Sequence, residues 1–136
     1  MKKGAATRSK RDRARRRLAV PKWRAAPAAL VDTFTKAVRP LAGAAVRKMF
    51  GYPAAFANGH MFAGVFQSSV FVRLDAGQRA ALLRRPGAAP FEPMPGRAMK
   101  EYVVVPAAMI ETPRELGRWL SRALTYVNGP PPKARR

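Results

Sequence analysis

The chain has no cysteine among its 136 residues. That excludes a disulfide framework, a thiolate metal site and a cysteine nucleophile together, and it suits a reducing cytoplasm. His60 is the only histidine. One imidazole without a second His or a thiolate does not make a metal site, so His60 reads as a polar residue beside a turn. Acids are scarce, seven against 27 Lys and Arg, and the formal net charge is +20. No Gly-x-Ser-x-Gly surrounds Ser68 and Ser69, so the nucleophile elbow of a hydrolase is absent. Gly51, Gly59 and Gly64 fall in or between expected strands rather than in a phosphate-cradling loop. The N-terminus lacks the apolar core of a secretory signal.

A further shortage marks the middle of the chain. Residues 49–72 contain no Lys, Arg, Asp or Glu. The run is long enough to span a bilayer. Pro53, Asn58-Gly59-His60 and Gln67-Ser68-Ser69 interrupt it, however, and Asn-Gly is a hairpin signal. The stretch is therefore expected to be the central sheet of a small α+β domain, with no membrane contact.

What is present in excess is positive charge, and it is unevenly placed. Residues 1–24 carry eleven Lys and Arg against Asp12, a net +10. Residues 25–127 carry thirteen against six acids, a net +7, and residues 128–136 add three cations. This divides the chain into a basic arm, a domain over 25–127 and a basic, proline-rich tail. The arm has dense like charge and little to bury, so it is expected to be disordered on its own.

Within the domain, Pro27 opens a helix whose Leu30, Phe34, Val38 and Leu41 form one apolar stripe, with Asp32 and Lys36 paired on the other side. Strands are expected at 46–50, 53–57, 60–66 and 69–74, with Asn58-Gly59 as a two-residue hairpin. Alternation over 60–66 puts Met61, Ala63 and Val65 on one face and His60, Phe62, Gly64 and Phe66 on the other. Arg73 suggests that the fourth strand is an edge or has a solvated side. Asp75 and Gln78 form a capping box for a helix running to about Arg85. A fifth strand covers 102–105, and a single turn follows Pro106. Thr112, Pro113 and Glu115 open the last helix, which buries Leu116, Trp119, Leu120, Ala123, Leu124 and Val127. About five antiparallel strands flanked by helices result. A strand at 69–74 or 102–105 could pair in a homodimer, and nothing in the sequence decides it.

Residues 86–101 contain four prolines and two glycines, yet also Phe91, Met94 and Met99. A loop this long and apolar is expected to be a cover or a contact, with Phe91, Met94, Arg97 and Met99 as its contact residues. Glu92 and Glu101 bracket it. They are a weak acid/base pair and read better as partners of nearby cations such as Arg97, Lys100 or Arg47.

Four segments carry a family resemblance. They are Arg47-Lys48-Met49-Phe50-Gly51-Tyr52-Pro53, Asn58-Gly59-His60-Met61-Phe62-Ala63-Gly64, Phe91-Glu92-Pro93-Met94-Pro95-Gly96-Arg97 and Lys100-Glu101-Tyr102-Val103-Val104. Together they resemble the N-terminal domain of TfoX/Sxy proteins, over about residues 28–127. The resemblance implies an antiparallel sheet with flanking helices, and it takes its name from bacterial competence regulators. Tyr52 stands where such proteins often have a second glycine, as in a single-domain branch without the C-terminal helical domain. The family offers no established catalytic residues.

The functional expectation is a non-enzymatic, cytoplasmic, regulatory or nucleic-acid-associated accessory protein with no cofactor and no metal. Its candidate nucleic-acid contacts are Lys2, Lys3, Arg8, Lys10, Arg11, Arg13, Arg15, Arg16, Arg17, Lys22 and Arg24 of the arm, with Arg47 and Lys48. Such contacts would be sequence-independent and salt-dependent. Trp23 is expected to dock on the domain, and the row Arg114, Arg118, Arg122 to be a solvated helix face. The alternative is a protein–protein module that uses the proline-rich loop, its tails only solubilising.

Overall fold

The computed structural model describes residues 24–129. The candidate contacts Lys2 to Lys22, Trp23 and the tail beyond Gly129 lie outside the described residues. The first helix, α1 (Ala28–Val38), buries Leu30, Phe34 and Val38. Leu41, just past its end, is partly buried against the same core. Asp32 and Lys36 pair at 3.1 Å with both side chains exposed, which contributes only tenths of a kcal/mol.

A six-stranded sheet follows, antiparallel throughout. Its strands are β1 (Ala45–Met49), β2 (Tyr52–Ala57), β3 (His60–Phe66), β4 (Ser69–Arg73), β5 (Ala89–Pro90) and β6 (Tyr102–Val104). Their spatial order is β1-β2-β3-β4-β6-β5. The strand not foreseen is β5, two residues of the proline-rich loop that hydrogen-bond to β6. It covers the flank of β6. Both strands expected as edges, 69–74 and 102–105, are therefore interior, and among the described residues the long exposed edge is β1.

Three helices complete the fold: α2 (Ala76–Leu83), α3 (Ala107–Ile110) and α4 (Pro113–Asn128). The Asp75 carboxylate accepts from the Gln78 amide at 2.8 Å and caps α2. The reciprocal half of the box is not made, and Gln78 Oε1 is buried without a partner. At α4 the expected Thr112–Glu115 box does not form. The single turn α3 leads straight into α4, and the Thr112 hydroxyl donates back to the Ala108 carbonyl. Glu115 instead meets Arg85 at 2.8 Å, joining α4 to the end of α2.

Helices α1 and α4 pack on β3 and β4, where Phe34, Leu116 and Leu120 join Val65, Val70 and Val72 in one buried cluster. A bulge in β3 opposite Ala55 and Phe56 changes the expected alternation. Phe62 is fully buried in this cluster with Ala63, whereas Met61 lines a pocket on the opposite face. That opposite face is covered by the proline-rich loop. Among the described residues no helix is long and apolar enough to cross a membrane.

Candidate binding site

The second face of the sheet owes its shape to one missing side chain. Gly64 pairs with Ala54 on one side and Phe71 on the other. With no Cβ at Gly64, the Phe71 ring lies over the strand; an added Cβ would meet its Cζ at 2.5 Å. Phe91 then stacks on Phe71, with ring centroids 4.0 Å apart and planes 11° apart. Phe66 meets the edge of Phe91 at 5.5 Å and Tyr52 at 5.4 Å.

The loop that delivers Phe91 is folded back on itself. The Phe91 amide donates to the Tyr102 carbonyl at 3.1 Å, and the Met99 amide donates to the Phe91 carbonyl at 2.8 Å. Glu92 accepts from the Gly96 amide, and Met94 bridges to Arg97. Phe91 was expected to be a contact residue, but it is 95% shielded because it forms the floor of the cover. Met94 and Arg97 remain exposed, and Met99 is half-buried.

Between loop and sheet lies an almost wholly apolar pocket of about 110 Å³. Tyr52, Ala54, Phe66 and Phe71 supply its sheet side, Phe91 and Met99 its loop side, and Met49 and Phe50 its end. Phe50 is 76% exposed and holds a left-handed backbone, φ 56°, in the turn between β1 and β2. Its neighbour Gly51 has φ 85°. The turn is therefore Phe50-Gly51, one residue earlier than the strand pattern suggested, and Tyr52 becomes the first residue of β2. The sequence signal for the pocket was available in the lone glycine among the aromatics of β3 and β4, but which aromatics would meet depended on the loop.

The polar groups cluster elsewhere. Arg73 Nε donates to Glu101 Oε1 at 2.7 Å and the Tyr126 hydroxyl donates to Glu101 Oε2 at 2.9 Å. Burial works against the charge on Glu101. The hydrogen bonds from Arg73 and Tyr126 and the attraction of Arg73 and Arg79 outweigh it, so the carboxyl is held below its ordinary range. Burial also pushes the Tyr126 hydroxyl up, and donation to the Glu101 carboxylate adds to this. Arg73 is thus an interior residue with its own partner, not the mark of an edge strand. Glu101 is taken up by Arg73 rather than by Arg47, Arg97 or Lys100, and Glu92 by its own turn. His60 is exposed at the start of β3. Among the described residues, no group of three or more His, Asp or Glu is placed to hold a metal ion.

The cations of the domain lie outside the pocket. Arg24 is exposed, and its carbonyl accepts from the Tyr52 hydroxyl, which ties the start of the domain to a pocket residue. Arg47 and Lys48 are exposed on β1, with the Arg47 guanidinium 4.4 Å from the centre of the Phe56 ring. Arg114, Arg118 and Arg122 are exposed along α4, and Arg122 lies over Trp119 at 4.6 Å.

The family model described as the TfoX N-terminal domain matches residues 36–126, about two thirds of the chain. The chain belongs to the TfoX N-terminal domain family. The matched region opens within α1 and closes within α4, so it takes in the whole sheet, the proline-rich loop and every residue of the pocket. The TfoX N-terminal match stops short of the arm, whose cations begin at Lys2. No curated protein matches the chain.

Proposed function

We propose that this TfoX N-terminal domain protein is a non-catalytic regulatory or accessory protein whose basic arm contacts nucleic acid. The family suggests the regulatory or accessory role. The observation that supports the nucleic-acid contact is the placement of charge: +10 of the net +20 falls in the first 24 residues, outside the matched domain. Arg47 and Lys48 extend that positive surface on the exposed edge strand. Each phosphate neutralised releases counterions, so affinity should fall steeply with salt and be nearly indifferent to base sequence. The test is fluorescence anisotropy with duplex and single-stranded DNA over a salt series. The full chain should bind at least ten-fold more tightly than a chain beginning at Arg24 at low salt, about 1.4 kcal/mol. Equal, weak binding by both sinks the proposal.

A second reading is favoured by the pocket. An apolar cavity with the exposed Phe50 in its lining, beneath a loop that also exposes Met94, suits a protein contact at the loop, the arm then only solubilising. Substituting Met94 and Phe50 with Ser should abolish partner capture under that reading, and deletion of the arm should not.

A further inference from the structure

We propose that β1 is a docking edge for an extended acidic segment of another protein, which adds a strand beside β1 and sets one large apolar side chain in the pocket under the proline-rich loop. This deepens the second reading above by naming the surface and the chemistry of the partner, and it is independent of the arm.

Among the described residues, one long edge of the sheet is uncovered. Its other edge is β5, only two residues long, whereas β1 spans five residues, all but Met49 exposed. Such an edge presents a row of backbone donors and acceptors that another strand can use. The side chains on it select the partner. Arg47 and Lys48 sit at its centre. A second copy pairing antiparallel about Arg47 would place Arg47 opposite its own counterpart, and like charges directly opposite are destabilising. The chain's own arm carries +10 and is repelled from the same edge. The domain as a whole is positive too: residues 24–129 hold fourteen Lys and Arg against six acids, a net +8. An acidic strand meets all of these charges favourably.

The pocket supplies the second element. Arg47 pairs with Ala54 in register, and Met49 follows two residues later on the same face of the strand. Met49 and Ala54 both line the pocket, with Phe50 at its rim. A strand laid beside β1 that presents an acid next to Arg47 therefore presents, two residues along, a side chain next to Met49 and the pocket mouth. Phe50 lies in a left-handed conformation that bulky residues rarely adopt, and it is held 76% exposed at that point. Strain of this kind collects at binding sites. A nucleic acid strand has the charge for this edge but no amides to ladder with it.

The test uses the full chain and a labelled peptide, Glu-Val-Glu-Glu-Phe-Glu-Val, read by anisotropy at physiological ionic strength. Three controls carry the same charge: the peptide with Ala for Phe, the peptide N-methylated on alternate amides, and a short single-stranded oligonucleotide. The parent peptide should bind, and the Ala and N-methylated peptides should each bind about ten-fold more weakly, as loss of an anchor side chain or of a backbone ladder requires. Arg47→Glu with Lys48→Glu should weaken the parent peptide by a similar factor without lowering the thermal midpoint, since both side chains are exposed and the reversal relieves like-charge repulsion. Phe50→Asn should weaken it while leaving the edge charge intact. Equal binding of all three peptides would show charge attraction alone and overturn the proposal. A weak Ala peptide beside a full-strength N-methylated one would overturn strand addition and leave the loop contact of the second reading standing. Loss of oligonucleotide but not peptide binding in the Arg47, Lys48 variant would assign the edge to nucleic acid and overturn it as well.

Discussion

Gly64 and Gly117 make opposite demands on the chain. At Gly64 an added methyl meets Phe71 ring atoms at 2.5, 3.0 and 3.2 Å, and the ring is trapped between the strand and Phe91. Gly64→Ala should therefore lower stability by about 1–3 kcal/mol, the usual cost of overpacking, and the near-ultraviolet dichroism of the displaced aromatics should change with it. At Gly117, inside α4, a Cβ meets nothing within 4 Å. Gly117→Ala should raise stability by about 0.5–1 kcal/mol through backbone entropy alone. Denaturant midpoints of the two variants should move in opposite directions; a rise for Gly64→Ala would refute the reading of Gly64, and a fall for Gly117→Ala that of Gly117. Glu101 gives a third residue-scale prediction. Its carboxyl is held below the ordinary value of 4.5. A depressed folded pKa contributes stability that is present above the unfolded value and is lost as pH falls through the folded one. Its side chain is 35% exposed, so screening limits the effect to about 1 kcal/mol or less. Glu101→Gln should thus be less stable than the parent at neutral pH, and the two stabilities should converge as the pH falls through the lowered folded value.

At the scale of elements, what could be read in advance was whatever depends on local pattern. The α1 stripe, the Asn58-Gly59 hairpin and the 60–66 strand each follow from spacing or turn chemistry within a dozen residues. The failures have long-range causes. Bulge placement in β3 depends on its register with β2, and the local alternation of Phe62 carried no trace of it. The box Thr112–Glu115 was locally plausible, but Arg85, thirty positions away, takes the carboxylate. Arg73 looked like a sign of solvent because Glu101 and Tyr126, which meet it, are distant in sequence. The pocket was the least legible feature, since it exists only where loop and sheet meet. The two hairpins make the element-scale prediction. Asn58 and Phe50 both have left-handed φ, 52° and 56°, each followed by a glycine at positive φ. Asn adopts that conformation at little cost, and a bulky aromatic does not. Phe50→Asn should raise the thermal stability, by about 1 kcal/mol on the cost of a left-handed residue. A lower midpoint would show that the Phe50 ring supports the fold more than its conformation strains it.

For the whole molecule, charge and shape are separately distributed, and salt should distinguish their effects. No charged side chain is buried among the described residues. Three ion pairs engage only a few of the fourteen cations of residues 24–129. Exposed like charges repel across the surface and oppose the compact state. The screening length shrinks to about 10 Å at 0.1 M salt and about 3 Å at 1 M. The thermal midpoint should therefore rise with added sodium chloride, both in the full chain and in a chain beginning at Arg24, because a net +11 remains after residues 1–23 are removed. Oligonucleotide affinity should do the reverse and fall with salt, with a logarithmic slope of about 0.7 for each phosphate neutralised on a single strand. That slope should flatten by several units when residues 1–23 are removed, since ten of the cations go with them. Calorimetry and anisotropy on the same two proteins, over the same salt series, measure both. If the binding slope is the same with and without the arm, the phosphate contacts belong to Arg47, Lys48 and the α4 row, and the arm is no more than charge carried beside the domain.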